Sequence, residues 1–256
     1  MENKSNINRL LQCWPDGTVA VQQWLATLGI SPLLTNWYLK SGWVESVGRG
    51  AYKRVGDTVN WTGGLYAIQR YLKKHIHVGA KTALELLGRT HFVRLGKGGN
   101  YYFFGEEKTL LPTWFGKNNY WNINVVYLST SLFSDATIGV IEQDIDGVPI
   151  YLSSPERAIM EVLYLIPKYQ SLEEAYLLIE NLGNMRPKHI QALLENCNSI
   201  KVKRLFMHLS ELCAHPYVKY LDVSRINFGH GKRVIAGGGV YHHKYQLSLP
   251  ELREIN

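Results

Sequence analysis

Apolar residues recur at helical spacing near the start of the chain and then give way to alternation, a change that predicts helices followed by a hairpin. Asn8–Trp14 reads as a first helix, broken by Pro15-Asp16-Gly17. Thr18–Leu28 reads as a second, with Val21, Trp24, Leu25 and Leu28 on one face and Gly29 after it. Ser31–Leu39 reads as a third, with Ser31 as N-cap and Pro32 at the first helical position, where no amide hydrogen is missed. Leu33, Leu34, Trp37 and Tyr38 form its expected core stripe. Trp43–Val47 and Ala51–Val55 then read as strands across the turn Gly48-Arg49-Gly50. Three short helices and a hairpin, from Ile7 to Val55, have the layout of a winged helix-turn-helix.

Downstream the pattern is mixed. Trp61–Leu72 and Lys81–Leu87 predict helices, and Ile76–Val78, Phe92–Leu95 and Tyr101–Phe104 predict strands. The loop Gly96–Asn100 lacks the GK[ST] ending of a phosphate-binding loop and fits a hairpin turn. Leu110–Trp121 reads as a loop and Asn122–Ser129 as β-rich. Ile138–Gln143 and Val148–Leu152 form a hairpin across Asp144-Ile145-Asp146-Gly147, a plain Asp-Gly turn without the ligand pattern of a calcium loop. A helical cluster follows. One helix opens at Ser153-Ser154-Pro155-Glu156 and places Ala158, Ile159, Val162, Leu163 and Ile166 on one face. A second is capped by Ser171 with Glu174 and runs through Ile179; the others are Pro187–Asn196 and Val202–Ala214, with Leu205, Phe206, Leu209 and Leu212 inward. Arg225–Phe228, Lys232–Ile235 and Tyr245–Leu249 return to strands. The fold class is α+β: an N-terminal winged helix-turn-helix at 1–57, a connecting segment at 58–94, and a mixed α/β C-terminal domain at 95–256.

Charge sharpens this picture locally more than globally. The net charge of +7 favours a polyanionic partner, yet residues 1–56 hold six Lys and Arg against three Asp and Glu, so the excess is spread. Within the third helix Thr35, Asn36 and Lys40 are short or basic groups suited to base edges or phosphates, and no acid interrupts Ser31–Trp43. Arg49, Lys53 and Arg54 gather on the hairpin, where phosphate is the natural partner. Helix-turn-helix layouts also serve as protein docking modules, so both readings stand. A second basic set, Lys201, Lys203 and Arg204 with Lys232 and Arg233, is either a solvated helix start or a surface for an acidic protein or nucleic acid.

Catalytic chemistry finds no support. His208, Glu211 and His215 do not have the spacing of a zinc-protease helix, and no nucleophile elbow or carboxylate pair stands out. Adjacent His242 and His243 point to opposite faces of a strand. Cys13, Cys197 and Cys213 are scattered, which argues against a disulfide framework or a zinc site and fits a reducing cytoplasm. The polar start Met1–Asn8 lacks a signal-peptide core, and no apolar run reaches the length of a membrane span. No enzyme activity, cofactor or metal is expected.

Several segments resemble one family: Gly48–Tyr52, His77-Val78-Gly79 with Thr82–Leu86, Ser154–Ile159, Val202–Phe206, His215-Pro216, Gly229 with Gly231-Lys232-Arg233, and Gly237-Gly238. Together and in this order, from about Ile7 to Pro250, they are similar to the AbiEi antitoxin of bacterial type IV toxin–antitoxin systems. The resemblance implies a winged helix that binds inverted repeats in the operon's own promoter and represses it. It also implies a C-terminal domain that counters a cognate AbiEii-type nucleotidyltransferase toxin, with or without a stable complex. By matched position Thr35, Asn36, Lys40, Arg49, Lys53 and Arg54 would face DNA, and Lys201, Lys203, Arg204, Lys232 and Arg233 would form the antitoxin surface.

Overall fold

The computed structural model of the chain describes residues 2–89, 99–117, 119–237 and 239–251. The expected strand Phe92–Leu95, most of the loop at 96–100, and Gly238 lie outside the described residues. Packing divides the chain into two units. The first comprises Met1–His77, Gly96–Ser129 and Glu142–Tyr151; the second comprises Val78–Leu95, Thr130–Ile141 and Leu152–Asn256.

The first unit begins with helix α1 (Glu2–Cys13), strand β1 (Ala20–Val21), helices α2 (Gln22–Thr27) and α3 (Pro32–Lys40), and the hairpin β2 (Val44–Gly48) and β3 (Ala51–Arg54). The three helices and the hairpin are as expected in order, but the first helix starts at Glu2 rather than Asn8 and the second is shorter at its start. Val19, Ala20 and Val21 are buried, and β1 pairs antiparallel with β3 to complete a three-stranded sheet in the order β1-β3-β2. Sheet pairing there overrides the helical pattern, as suits a β-branched run with a free edge beside it. Ile7, Leu10, Trp14, Leu25, Ile30, Tyr38 and Val44 close one apolar cluster under the sheet and helices.

Helix α4 (Trp61–Tyr66) continues through a π turn at Ala67–Tyr71. Its first turn presses on the loop before β1: a Cβ on Gly63 would lie 1.9 Å from the Gly17 carbonyl oxygen, so only glycine fits. Strands β4 (Ile76–Val78), β5 (Asn100–Gly105), β6 (Asn124–Ser129), β7 (Val140–Ile145) and β8 (Val148–Ser153) form a sheet in the order β6-β5-β4-β8-β7. β5 and β6 run parallel, and the turn between β7 and β8 has Asp146 and Gly147 at positive φ with the Asp144 carboxylate accepting from the Gly147 amide. That is the expected Asp-Gly turn. Buried Gln69 donates to the carbonyls of Ile76 and Tyr151 and accepts from the Tyr151 amide, extending the ladder with a side chain. The expected loop 110–121 contains a short helix, α6 (Thr113–Gly116), packed through Trp114 and Phe115, and a 3-10 turn at Asn119–Trp121.

In the second unit, helix α5 (Ala80–Leu86) and helices α7 (Pro155–Leu165), α8 (Leu172–Glu180), α9 (Pro187–Asn196) and α10 (Ile200–Leu212) surround one axis. That axis is α7: it touches α5, α8, α9 and α10, and nearly every residue along it is buried. Ser154 caps α7, Ser171 caps α8 and Ser199 caps α10, each accepting a backbone amide three residues on. α10 is also buried on most sides, except that Leu212, expected inward, is 53% exposed at its end. The C-terminal segment adds β9 (Arg233–Val234), β10 (Val240–His242) and β11 (Leu247–Leu249) in the order β10-β11-β9. Arg225–Phe228 is not a strand. Arg225 closes the 3-10 turn Val223–Arg225, and the Phe228 carbonyl is used by a side chain described below.

A buried ion pair organises this unit. Arg157 and Glu161 are one turn apart on α7, with side chains 6% and 0% exposed and Nε 2.8 Å from Oε1. The Arg157 guanidinium also donates to the carbonyls of Ala136 and Ile138 and lies over the Phe133 ring. The second oxygen of Glu161 accepts from the Ala80 amide at 2.9 Å and the Ser153 hydroxyl at 2.7 Å. Ala80 has φ 48°, a left-handed conformation that disfavours a side chain, and this bond holds its amide in place. Arg157→Met leaves Glu161 charged and unpaired in the interior. It should lower the stability measured by urea unfolding by about 3–5 kcal/mol, and a loss below about 1 kcal/mol would refute the pair's role.

A second pair reports on pH. Glu156 is 3% exposed. Burial pushes its carboxyl up, but the amide and guanidinium of Arg186 more than offset this and hold it down at about 2. A depressed folded pKa gives stability that is complete above the ordinary carboxylate value of 4.5 and is lost as the pH falls toward about 2. The stability difference between the native chain and Arg186→Met should therefore be large at neutral pH and shrink across that interval. A difference independent of pH would exclude this linkage.

Candidate nucleic-acid interface

The helix-turn-helix is positioned by local bonds that its own sequence supplies. Gly29, at φ 78°, turns the chain between α2 and α3, and the Ile30 amide returns to the Leu25 carbonyl. The Ser31 hydroxyl accepts the Leu34 amide and caps α3. Gln22 does two jobs. Its backbone amide donates to the Gly50 carbonyl at the wing tip, and its side chain donates to the Ile30 carbonyl just before α3. One residue therefore ties the wing tip to the start of the third helix.

The face that α3 presents differs from the expected one by a single step. Thr35 and Tyr38 are each 1% exposed, with Leu34 and Leu39 packed beside them. Leu33, expected in the core, is 83% exposed, and Trp37 is 46% exposed. The stripes 33-34-37-38 and 34-35-38-39 satisfy helical spacing equally well, and packing on the cluster around Leu10 and Val44 selects the second. The outward stripe is consequently Leu33, Asn36, Trp37 and Lys40. Thr35 is withdrawn from any DNA contact: it is buried, and its hydroxyl donates to the Ser31 carbonyl at 3.1 Å.

The wing is corrected in the same way. Arg49 is exposed at its tip. Lys53 is not a free cation. Its side chain is 12% exposed, lies 2.9 Å from the Glu45 carboxylate across the hairpin, and donates to the Asp57 carbonyl; the Glu45 bond raises its pKa. Arg54 donates to the Trp14 carbonyl and the Asp16 carboxylate, with its guanidinium over the Trp14 ring. Both pin the hairpin to its own module rather than reaching outward. Of the six expected DNA-facing residues, Asn36, Lys40 and Arg49 stand exposed together on α3 and the wing.

The second basic set also turns inward for the most part. Lys201 donates to the Tyr164 and Ile166 carbonyls at 2.7 and 2.6 Å, supplying the cation that the end of α7 lacks, and burial lowers its pKa. Lys203 is 4% exposed, and burial lowers its pKa as well. Arg204 is the largest fully buried side chain among the described residues. It donates to the carbonyls of Phe228, Gly229, Gly231 and Gln246, which fixes the C-terminal segment against α10. Lys232, over the Tyr241 ring, and Arg233 remain exposed. Sequence reasoning missed these anchoring roles. The available signal was the position of Lys201, Lys203 and Arg204 among Val202, Leu205 and Phe206, all buried, on a helix with little room for a solvated face.

One concave feature of the second unit is a cleft of about 1000 Å³ between α9 and the 3-10 turns at 218–225. Both of its arginines are already engaged, Arg186 with Glu156 and Arg225 with Glu195. Among the described residues no group of three or more His, Cys, Asp or Glu is placed to hold a metal ion. No described helix is long and apolar enough to cross a membrane.

Residues 3–95 match a family model described as the N-terminal domain of a transcriptional regulator, AbiEi antitoxin. Residues 99–250 match one described as a transcriptional regulator, AbiEi antitoxin, of a type IV toxin–antitoxin system. The fold is similar to that of the crystal structure of the RV2827C protein from Mycobacterium tuberculosis, with TM-score 0.61 and 13% identity over 96% of this chain and 91% of that one. A search of curated proteins gives no match.

Replacing Arg204 by Met should release the carbonyls it holds. Amide hydrogen exchange should then accelerate at Arg233 and Ile235, whose bonds to Gln246 and Ser248 depend on that segment, and stay unchanged in α3. Unchanged protection at both would show that the segment is held by its own strands.

Proposed function

We propose, for a chain that belongs to the AbiEi antitoxin family of type IV toxin–antitoxin transcriptional regulators, that residues 1–57 bind the promoter DNA of its own operon at inverted repeats and repress it. The connecting segment 58–94 leads to the C-terminal domain, 95–256, which counters a nucleotidyltransferase toxin of the AbiEii type. The site of action is the cytoplasm, and the role is regulatory rather than enzymatic. The observation that carries the DNA reading is the exposed stripe of α3, free of acids and ending in Lys40, beside a wing that offers Arg49 at its tip. α3 enters the major groove and the wing follows the flanking phosphates. Lys53 and Arg54 support the wing from behind. On the C-terminal side, Lys232 and Arg233 are the accessible members of the basic set and the candidates for antitoxin action.

A second reading, an antitoxin that binds its toxin directly and makes no use of DNA, draws on the internal pairing of Lys53 and Arg54, which thins the basic surface. Salt dependence separates the two. On DNA from upstream of its own gene, fluorescence anisotropy across a salt series should show sequence-selective binding. In the Lys40→Ala, Arg49→Ala variant the slope of log K against log salt should fall by about two, near 0.9 per lost phosphate contact. Lys53→Ala should cost hairpin stability with little change in slope. An unchanged slope in the first variant would remove α3 and the wing tip from the interface, and toxin co-purification without salt-dependent DNA affinity would establish the second reading.

A further inference from the structure

We infer that Leu33 and Trp37 are specificity-determining residues that read thymine C5-methyl groups in the major groove, so that the operator half-site places A·T pairs under the first two turns of α3. This rests on the DNA-binding reading above and names what that surface selects. Leu33 is 83% exposed in the first turn of α3, and Trp37 follows at i+4 with 46% exposure, while the opposite face of the helix is buried through Thr35 and Tyr38. Leu33 adds little to the core, and Trp37, although it keeps an edge contact with the buried Tyr38 ring, still presents nearly half its surface outward, so burial alone does not account for the two apolar side chains. Exposed single apolar residues are ordinary. Here, however, two lie on one stripe, with Asn36 between them and Lys40 at the end.

The stripe matches one chemical surface. The thymine methyl is the apolar feature of the major-groove edge of the standard bases, and side chains such as these contact it by dispersion and exclusion of water. Adenine, on the partner strand, presents N6–H and N7, the donor and acceptor that a side-chain amide such as that of Asn36 meets in a bidentate pair. Lys40 and the wing-tip Arg49 bracket the stripe with positive charge, which a polyanion satisfies and an apolar protein groove does not. Residues near the N-terminus of a recognition helix are those that reach base edges, and Leu33 occupies its second position.

The experiment compares two versions of one duplex, the DNA upstream of the chain's own gene, amplified with thymidine or with deoxyuridine. Uracil keeps every hydrogen-bonding group of thymine and lacks only the methyl. The full chain should bind the deoxyuridine duplex about fourfold more weakly for each contacted methyl, and about fifteenfold more weakly if Leu33 and Trp37 each meet one. Leu33→Ala should bind the thymidine duplex more weakly and lose most of its sensitivity to the methyl. Being so exposed, Leu33 can be shortened without loss of fold, which circular dichroism checks. Equal affinity of the native chain for both duplexes, or a methyl sensitivity that Leu33→Ala retains in full, overturns the inference while leaving DNA binding intact. Failure to bind either duplex selectively overturns both, and a salt series on the thymidine duplex tells the two failures apart.

Discussion

Arg157 and Glu161 take two full charges into the middle of the second unit, and the surrounding backbone is arranged to make that tolerable. Each charge alone would cost several kcal/mol to bury. The pair survives because the guanidinium also satisfies two loop carbonyls and the carboxylate also takes an amide and a hydroxyl. Three pieces of chain are thereby fixed to one helical turn of α7: the loop at 136–138, the end of β8 and the start of α5. The requirement is reciprocal. The loop carbonyls of Ala136 and Ile138 and the left-handed Ala80 amide take their side-chain partners from this pair, so the polar network gives this unit its uniqueness where an apolar core would give mainly stability.

The same device recurs along α10. Lys201 closes the C-terminal end of α7, and Arg204 gathers carbonyls from three successive parts of the C-terminal segment. That segment has only short strands, too few backbone bonds to hold itself in place. A buried guanidinium with a fixed fork of donors supplies what the strands cannot. In this unit Arg157, Lys201 and Arg204 act as internal fasteners for backbone oxygen, and their charges are used inside rather than at the surface.

The N-terminal module uses its cations with the same economy. Arg54 and Lys53 tie β3 to the loop after α1 and to the facing strand, and Gln22 links the wing tip to the turn before α3. What is left facing outward is a stripe that mixes apolar, amide and basic groups, with one further arginine at the wing tip. Recognition by such a surface depends on shape and on a few specific contacts more than on field strength.

Element identity was largely legible in the chain. The Ser31-Pro32, Ser154-Pro155 and Ser171 to Glu174 signals marked the starts of α3, α7 and α8, and the Asp146-Gly147 turn marked its hairpin, because caps and turns are local chemistry. Family membership was legible too, in ordered motifs that span both matched regions. What the tertiary structure decided was direction. It took Thr18–Val21 out of the helix and Ala20–Val21 into a strand, turned α3 by one residue so that Leu33 faces out and Thr35 in, and drew Lys53, Arg54, Lys201, Lys203 and Arg204 away from solvent. Periodicity fixes the spacing of a face but not its phase. A basic residue in a sequence likewise carries no mark of whether a phosphate or a buried carbonyl will be its partner, because that choice depends on oxygens brought close only by the fold.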